Sequence, residues 1–105
     1  AQALIGTRHF EEALRLADAQ LQWQPDAVRY HRLRAAGHAG LGREAQQHQA
    51  LADVFALQGQ TAAAIEQLEL AQKAGDANFY VMSAIDARLR ELKRLRLEEL
   101  KERRN

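Results

Sequence analysis

The sequence predicts an all-α fold: a stack of antiparallel helical hairpins, an α-solenoid fragment, finished by one long C-terminal helix. Three observations carry that expectation. Ala and Leu dominate a chain that is 47% hydrophobic and only 6% aromatic; small and straight-chain residues favour helix, whereas β-branched and aromatic residues favour strand. Six glycines and one proline leave few places for the chain to turn. Between those breaks, apolar residues recur at three- and four-residue spacing, the period of a helix with one buried face.

Taken in order, residues 1–6 read as the end of a helix that stops at Gly6. Phe10 to Gln24 forms the next, with Phe10, Ala13, Leu14, Ala17 and Leu21 on one face. Pro25-Asp26 closes it, because proline lacks an N–H and biases Gln24 away from α geometry. Ala27 to about Gly40 follows, with Tyr30, Leu33, Ala36 and Gly37 inward, and Gly40-Leu41-Gly42 breaks the chain. Arg43 to Gln58 presents Ala45, His48, Leu51, Ala52 and Phe55, and Gly59 ends it. Thr61 is the expected N-cap of a helix over Ala62 to Ala74, with Ala64, Ile65, Leu68 and Ala71 inside. Gly75-Asp76 ends that helix. The last, from Asn78 to Arg103, is about 40 Å long at 1.5 Å per residue and carries Met82, Ile85, Leu89 and Leu92 on its stripe. None of these segments is stable alone in water at such length, so they must pack side by side in chain order. The expected organisation is one helical repeat domain over 1–93 and a charged helical extension over 94–105.

Charge narrows the partners. Fifteen basic residues balance fourteen acidic ones, so no global field attracts nucleic acid or a membrane surface. The tail from Arg88 carries a net of +4 and the rest of the chain a net of −3. Cysteine is absent, which removes disulfides and thiol chemistry. No apolar run is long enough to span a bilayer. The chain opens without methionine inside helical sequence, so it reads as a piece of a longer protein, and the missing signal peptide says little about the parent.

Internal similarity is the strongest signal. Phe10-Glu-Glu-Ala13-Leu14-x-x-Ala17 and Thr61-Ala-Ala-Ala64-Ile65-x-x-Leu68 share one grammar, with a small residue four before the next inward position. Pro25 stands twelve residues after Ala13. That spacing resembles the tetratricopeptide repeat, in which a closing proline follows the small residue of the second helix. Leu51-Ala52-x-x-Phe55-x-x-x-Gly59 is similar to the first-helix signature of the same repeat, with His48 where tryptophan usually stands. The alternative is an ordinary alanine-rich bundle. Gly42 and Gly59 are separated by 17 positions, half of the roughly 34-residue repeat. The helix between them is therefore expected to serve two hairpins at once.

A further resemblance lies downstream. The run His48-Gln-Ala-Leu-Ala-x-x-Phe55-x-x-x-Gly59, then Ala64-x-x-Gln67-Leu68-x-x-Ala71, then Phe79-Tyr80-x-x-Ser83-x-Ile85-x-Ala87-Arg88-Leu89-x-Glu91-Leu92 resembles the C-terminal tetratricopeptide region of bacterial periplasmic HExxH zinc metallopeptidases of the beta-barrel assembly-enhancing type. The similarity covers about residues 28–93. It implies a periplasmic, non-catalytic module that contacts its own protease domain and outer-membrane assembly machinery or substrate proteins. No HExxH occurs in this chain, so the family's zinc site does not carry over and no cofactor is expected.

Other chemistry finds little support in the residues. His31 and His38 are seven apart, not the four that chelates zinc from one helix face. One serine, no cysteine and no glycine-rich phosphate loop leave no nucleophile or nucleotide motif. The basic tail interleaves Arg88, Arg90, Lys93, Arg94, Arg96, Lys101, Arg103 and Arg104 with four glutamates and no aromatic, which suits a solvated helix better than a base-stacking arm. A homodimer through Leu95, Leu97 and Leu100 is another use of it. By the position of concave first helices in tetratricopeptide proteins, Arg32, His38, Gln49, Asp53 and Leu57 are the candidate partner-binding residues. The alternative readings are a purely structural repeat with no separate ligand, or a nucleic-acid-associated helical protein using the tail.

Overall fold

The computed structural model describes residues 2–104, and the side chains of residues 6–103; Ala1, Asn105 and the side chains of residues 2–5 and 104 fall outside it. Five helices account for nearly all of the described chain: α1 (Gln2–Trp23), α2 (Val28–Gly40), α3 (Glu44–Leu57), α4 (Thr61–Lys73) and α5 (Phe79–Arg104). No strand occurs among the described residues. Each helix packs on the next in sequence, and α5 also touches α3. The result is an all-α stack, elongated to 59 × 30 × 19 Å. Its radius of gyration of 14.9 Å exceeds the roughly 13 Å of a compact domain of this length.

The turns follow from local chemistry. Gly42 and Gly59 take φ of +74° and +77°, the left-handed conformation that ends a helix and that L side chains resist. At both ends the chain closes with the same pair of hydrogen bonds: Arg43 N–H donates to His38 O and Gly42 N–H to Ala39 O, as Gln60 N–H does to Phe55 O and Gly59 N–H to Ala56 O. Asn78 caps α5, its Oδ1 accepting from Val81 N–H at 2.8 Å.

Three expectations change. Gly6 does not end a helix; α1 runs through it, since one glycine costs a long helix only about 1 kcal/mol. Thr61 is not the N-cap of α4. Gln60 holds that position without a side-chain hydrogen bond, and Thr61 is buried in the first turn with Oγ1 donating to Glu99 Oε2 at 3.0 Å. Ala36 faces solvent, whereas Ala35 and His38 are buried. The reason is that α2 lies between α1 and α3 and buries both flanks, which leaves one exposed strip at Arg29, Arg32, Ala36 and Ala39.

The same logic shapes α3. Ala45 and Ala52 join Ala64, Leu68, Ala71, Ile85, Leu89 and Leu92 in the core shared with α4 and α5. Ala50 and Val54, about 140° or more around the helix from Ala45, are buried too. One helix thus carries two seams, as the short interval between its flanking glycines requires. Its N-terminus is held from a distance: the Asp76 carboxylate, in the α4–α5 loop, accepts from Glu44 N–H at 2.7 Å and Ala45 N–H at 2.9 Å. A carboxylate there satisfies two orphan donors and meets the positive end of the helix dipole. At the α1–α2 crossing the small residue is glycine. A Cβ on Gly37 meets Leu14 Cγ at 2.8 Å, and one on Gly40 overlaps the Phe10 ring.

Substitutions at three positions test this packing. Asp76→Ala is expected to lower stability by about 1–2 kcal/mol in urea unfolding, with Asp76→Asn less damaging. Gly37→Ala is expected to destabilise by about 1 kcal/mol, because overpacking outweighs the gain in helix propensity. Gly6→Ala, which meets nothing within 4 Å, should stabilise by up to about 1 kcal/mol.

Candidate interaction groove

Gln49, Asp53 and Leu57 stand one turn apart along α3, on the edge between its two seams. Gln49 and Asp53 are half-buried and Leu57 is exposed. Leu57 opens onto a cleft of about 560 Å³ between the end of α3, the start of α4 and the outer half of α5. Leu57, Leu92 and Leu95 supply its apolar surface, and Arg88, Glu91, Arg94 and Glu98 its charged border. Arg88 is tied to Glu91 at 3.1 Å, and Arg96, one turn beyond Leu92, lies 3.8 Å from Glu99. The basic character of α5 is thus partly neutralised along its own length. The helix runs unbroken past Lys93, and its far end is pinned over the α3–α4 turn by the bond from Thr61 to Glu99.

Further along the stripe, Asp53 Oδ2 lies 3.8 Å from His31 Nδ1. The other ring nitrogen of His31, Nε2, is 2.8 Å from the carbonyl oxygen of Pro25. A carbonyl only accepts, so Nε2 carries the hydrogen. In a neutral ring Nδ1 then presents a lone pair to the carboxylate, and the contact becomes attractive only when the pair holds one more proton. Burial raises the Asp53 pKa above the usual carboxylate value, against the opposing pull of His31, Arg88 and Arg34.

The five candidate residues therefore separate. Gln49, Asp53 and Leu57 share an edge of α3. Arg32 lies on the solvent strip of α2, and its neighbour His31 is the side chain that meets Asp53. His38 does not face this cleft: it is buried at 5% exposure beside α1. Sequence reading missed His31, Arg88 and Leu92 as companions of Asp53 and Leu57. The signal available was Asp53 itself, a carboxylate among half-buried positions that needs polar company. Among the described residues no three metal-capable side chains come together, and no helix is long and apolar enough to cross a membrane. His48 donates through Nδ1 to Gln67 Oε1 at 2.7 Å and joins α3 to α4.

Comparison of the chain with protein-family models, with curated proteins and with solved structures finds no match.

The sign of the Asp53 effect is testable. A carboxyl whose pKa is raised on folding is favourable while protonated, and that contribution is lost as pH rises from the unfolded value through the folded one. Asp53→Asn should therefore unfold at higher urea than the parent at pH 7, with the gap closing as pH falls toward 4.

Proposed function

We propose that this chain is a non-catalytic protein-interaction module of tetratricopeptide type. It engages a segment of another protein in the cleft between α3 and α5. The observation that carries the reading is the exposed leucine set Leu57 and Leu95, beside the buried Leu92, inside a border of both charge signs. Such a surface suits a peptide or helix with an apolar face and polar flanks. It offers no row of unpaired cations for phosphates, since of the two arginines on its border Arg88 is tied to Glu91 and only Arg94 stands without an ion-pair partner among the described residues.

The sequence resemblance supplies the setting for this proposal. The module belongs to the C-terminal region of a periplasmic zinc metallopeptidase, where it contacts the protease domain and outer-membrane assembly partners or substrates. Of the residues singled out from sequence, Leu57 carries the contact, with Leu95 opposite, and Gln49 and Asp53 stand outside the cleft on the same edge of α3. Arg32 and His38 are left outside it.

The test is site-directed. Photo-crosslinking groups at positions 57 and 95 should capture a protease domain of that family or a beta-barrel assembly component, whereas one at position 36, on the solvent strip, should not. Leu57→Asp with Leu95→Asp should weaken capture by at least roughly tenfold, the scale of losing two apolar contacts, with helical circular dichroism unchanged. Capture that ignores both substitutions overturns the groove assignment. Capture of DNA or RNA instead, abolished by removing residues 94–105, overturns the module reading.

A further inference from the structure

The seam between α2 and α3 carries a single polar contact. Among the described residues, the approach of His31 to Asp53 is the only side-chain hydrogen bond or ion pair that joins these two helices. The ring, in the first turn of α2, is fixed from its far side. Its Nε2 donates to the carbonyl oxygen of Pro25, in the α1–α2 turn, at 2.8 Å, so Nδ1 of the neutral ring carries only a lone pair. That Nδ1 is sealed from solvent and has no hydrogen-bond partner, a state that native structures rarely leave without a reason. The atom facing it is Asp53 Oδ2 at 3.8 Å, about 1 Å beyond hydrogen-bonding reach. Two acceptors look at each other across the gap, and neither satisfies the other.

The neighbouring cations do not relieve this. The charges that reach Asp53 come from two elements, His31 and Arg34 on α2 and Arg88 on α5. Arg34 sits 3.0 Å from Asp18 of α1, and Arg88 sits 3.1 Å from Glu91 of its own helix. No arginine or lysine among the described residues comes within ion-pair distance of Asp53. Burial meanwhile raises the Asp53 pKa above the usual carboxylate value, against the pull of His31, Arg88 and Arg34. What the pair lacks is a hydrogen between the two atoms.

We propose that His31 and Asp53 form an acid-operated clasp between the α1–α2 hairpin and α3. One proton placed between Nδ1 and Oδ2 turns two facing acceptors into a charge-assisted or neutral hydrogen bond and draws them together. The proton belongs to the pair, on the ring beside a carboxylate or on the carboxyl beside a neutral ring. The ring then bridges Pro25 in the turn and Asp53 on the next helix but one, so both ends of the imidazole are tied. The bond favours the packed stack while the proton is present, and that contribution is lost as pH rises and the proton leaves. Acidification therefore tightens this seam. The clasp stands whether or not the α3–α5 cleft takes a partner.

The experiment is NMR on the 13C,15N-labelled full chain between about pH 8 and about pH 4.5, with Asp53→Asn and Asp53→Ala alongside. In the parent, the Asp53 carboxyl 13C shift and the His31 ring 15N shifts are expected to move with a common midpoint. The asparagine amide donates to Nδ1 at every pH, and alanine leaves Nδ1 without a partner at every pH. Hydrogen exchange of the α2 amides is compared between proteins at one pH, so that intrinsic exchange cancels. The parent should be no better protected than the alanine variant at the alkaline end and should match the asparagine variant at the acid end. The gain over alanine across that range is about tenfold, the scale of one hydrogen bond to a charged group. Separate midpoints for ring and carboxyl, or a parent-to-alanine ratio that does not change with pH, overturn the proposal. Should either variant lose the fold, the two titrations of the parent decide alone.

Discussion

Close approach of helix backbones is the constraint on which the rest of this structure depends. None of the three middle helices exceeds fourteen residues, a length at which a helix in water is marginal. Each gains its stability by lying against a neighbour, and alanine or glycine marks the places where it does so. Ala45 and Ala52 face Ala64, Leu68 and Ala71, all at 1% exposure or less. At the other end of the stack, Gly37 and Gly40 accept Leu14 and Phe10. Bulk is supplied by the partner rather than the seam, through Leu68, Ile85 and Leu92. Two small faces with large side chains nested between them interdigitate without voids, as close-packed interiors require.

That constraint makes α3 the keystone. It has neighbours on two flanks and touches a third helix, so its rotation about its own axis has little freedom. Fixing that rotation aims Gln49, Asp53 and Leu57 along one edge. The polar links across the stack are few and specific: His48 to Gln67 between α3 and α4, Gln72 to Asp86 between α4 and α5 at 2.7 Å, and Arg34 to Asp18 between α2 and α1. They specify pairing more than they add stability, because the exposed ones are worth a few tenths of a kcal/mol at most.

Most of the fold was legible in the residues. Apart from Gly6 and Gly37, which lie inside helices, glycine and proline mark helix ends to within a residue or two, because a left-handed turn or a missing N–H is a local requirement with a local signature. The α5 stripe of Ile85, Leu89 and Leu92 is buried as its spacing indicates. What was not legible is whatever depends on a second element. Asp76 reads as a loop residue, and nothing nearby in sequence shows that its carboxylate caps a helix about thirty residues upstream. Thr61 has the composition of a cap but spends its hydroxyl on Glu99 of α5. In α2, periodicity assigns one inner face, yet a helix with two neighbours has two, and Ala36 falls in the gap. The site suffered from the same ambiguity. Adjacent residues differ by about 100° around a helix, so locating the α2 wall one position off selects Arg32 over His31.

The groove and the Asp76 anchor lie at opposite ends of α3, Leu57 at its finish and Glu44 and Ala45 at its start. Fourteen residues at 1.5 Å each separate them by about 20 Å. Asp76 grips the N-terminal end immediately beside Arg43, and the Gly59 turn, crossed by the outer part of α5, closes the C-terminal end. The geometry of the groove is therefore set by this helix and by the two connections that flank α4. A short stack of weak helices can in this way present a rigid groove without a large core, because its edge belongs to the one element that its neighbours hold on several sides.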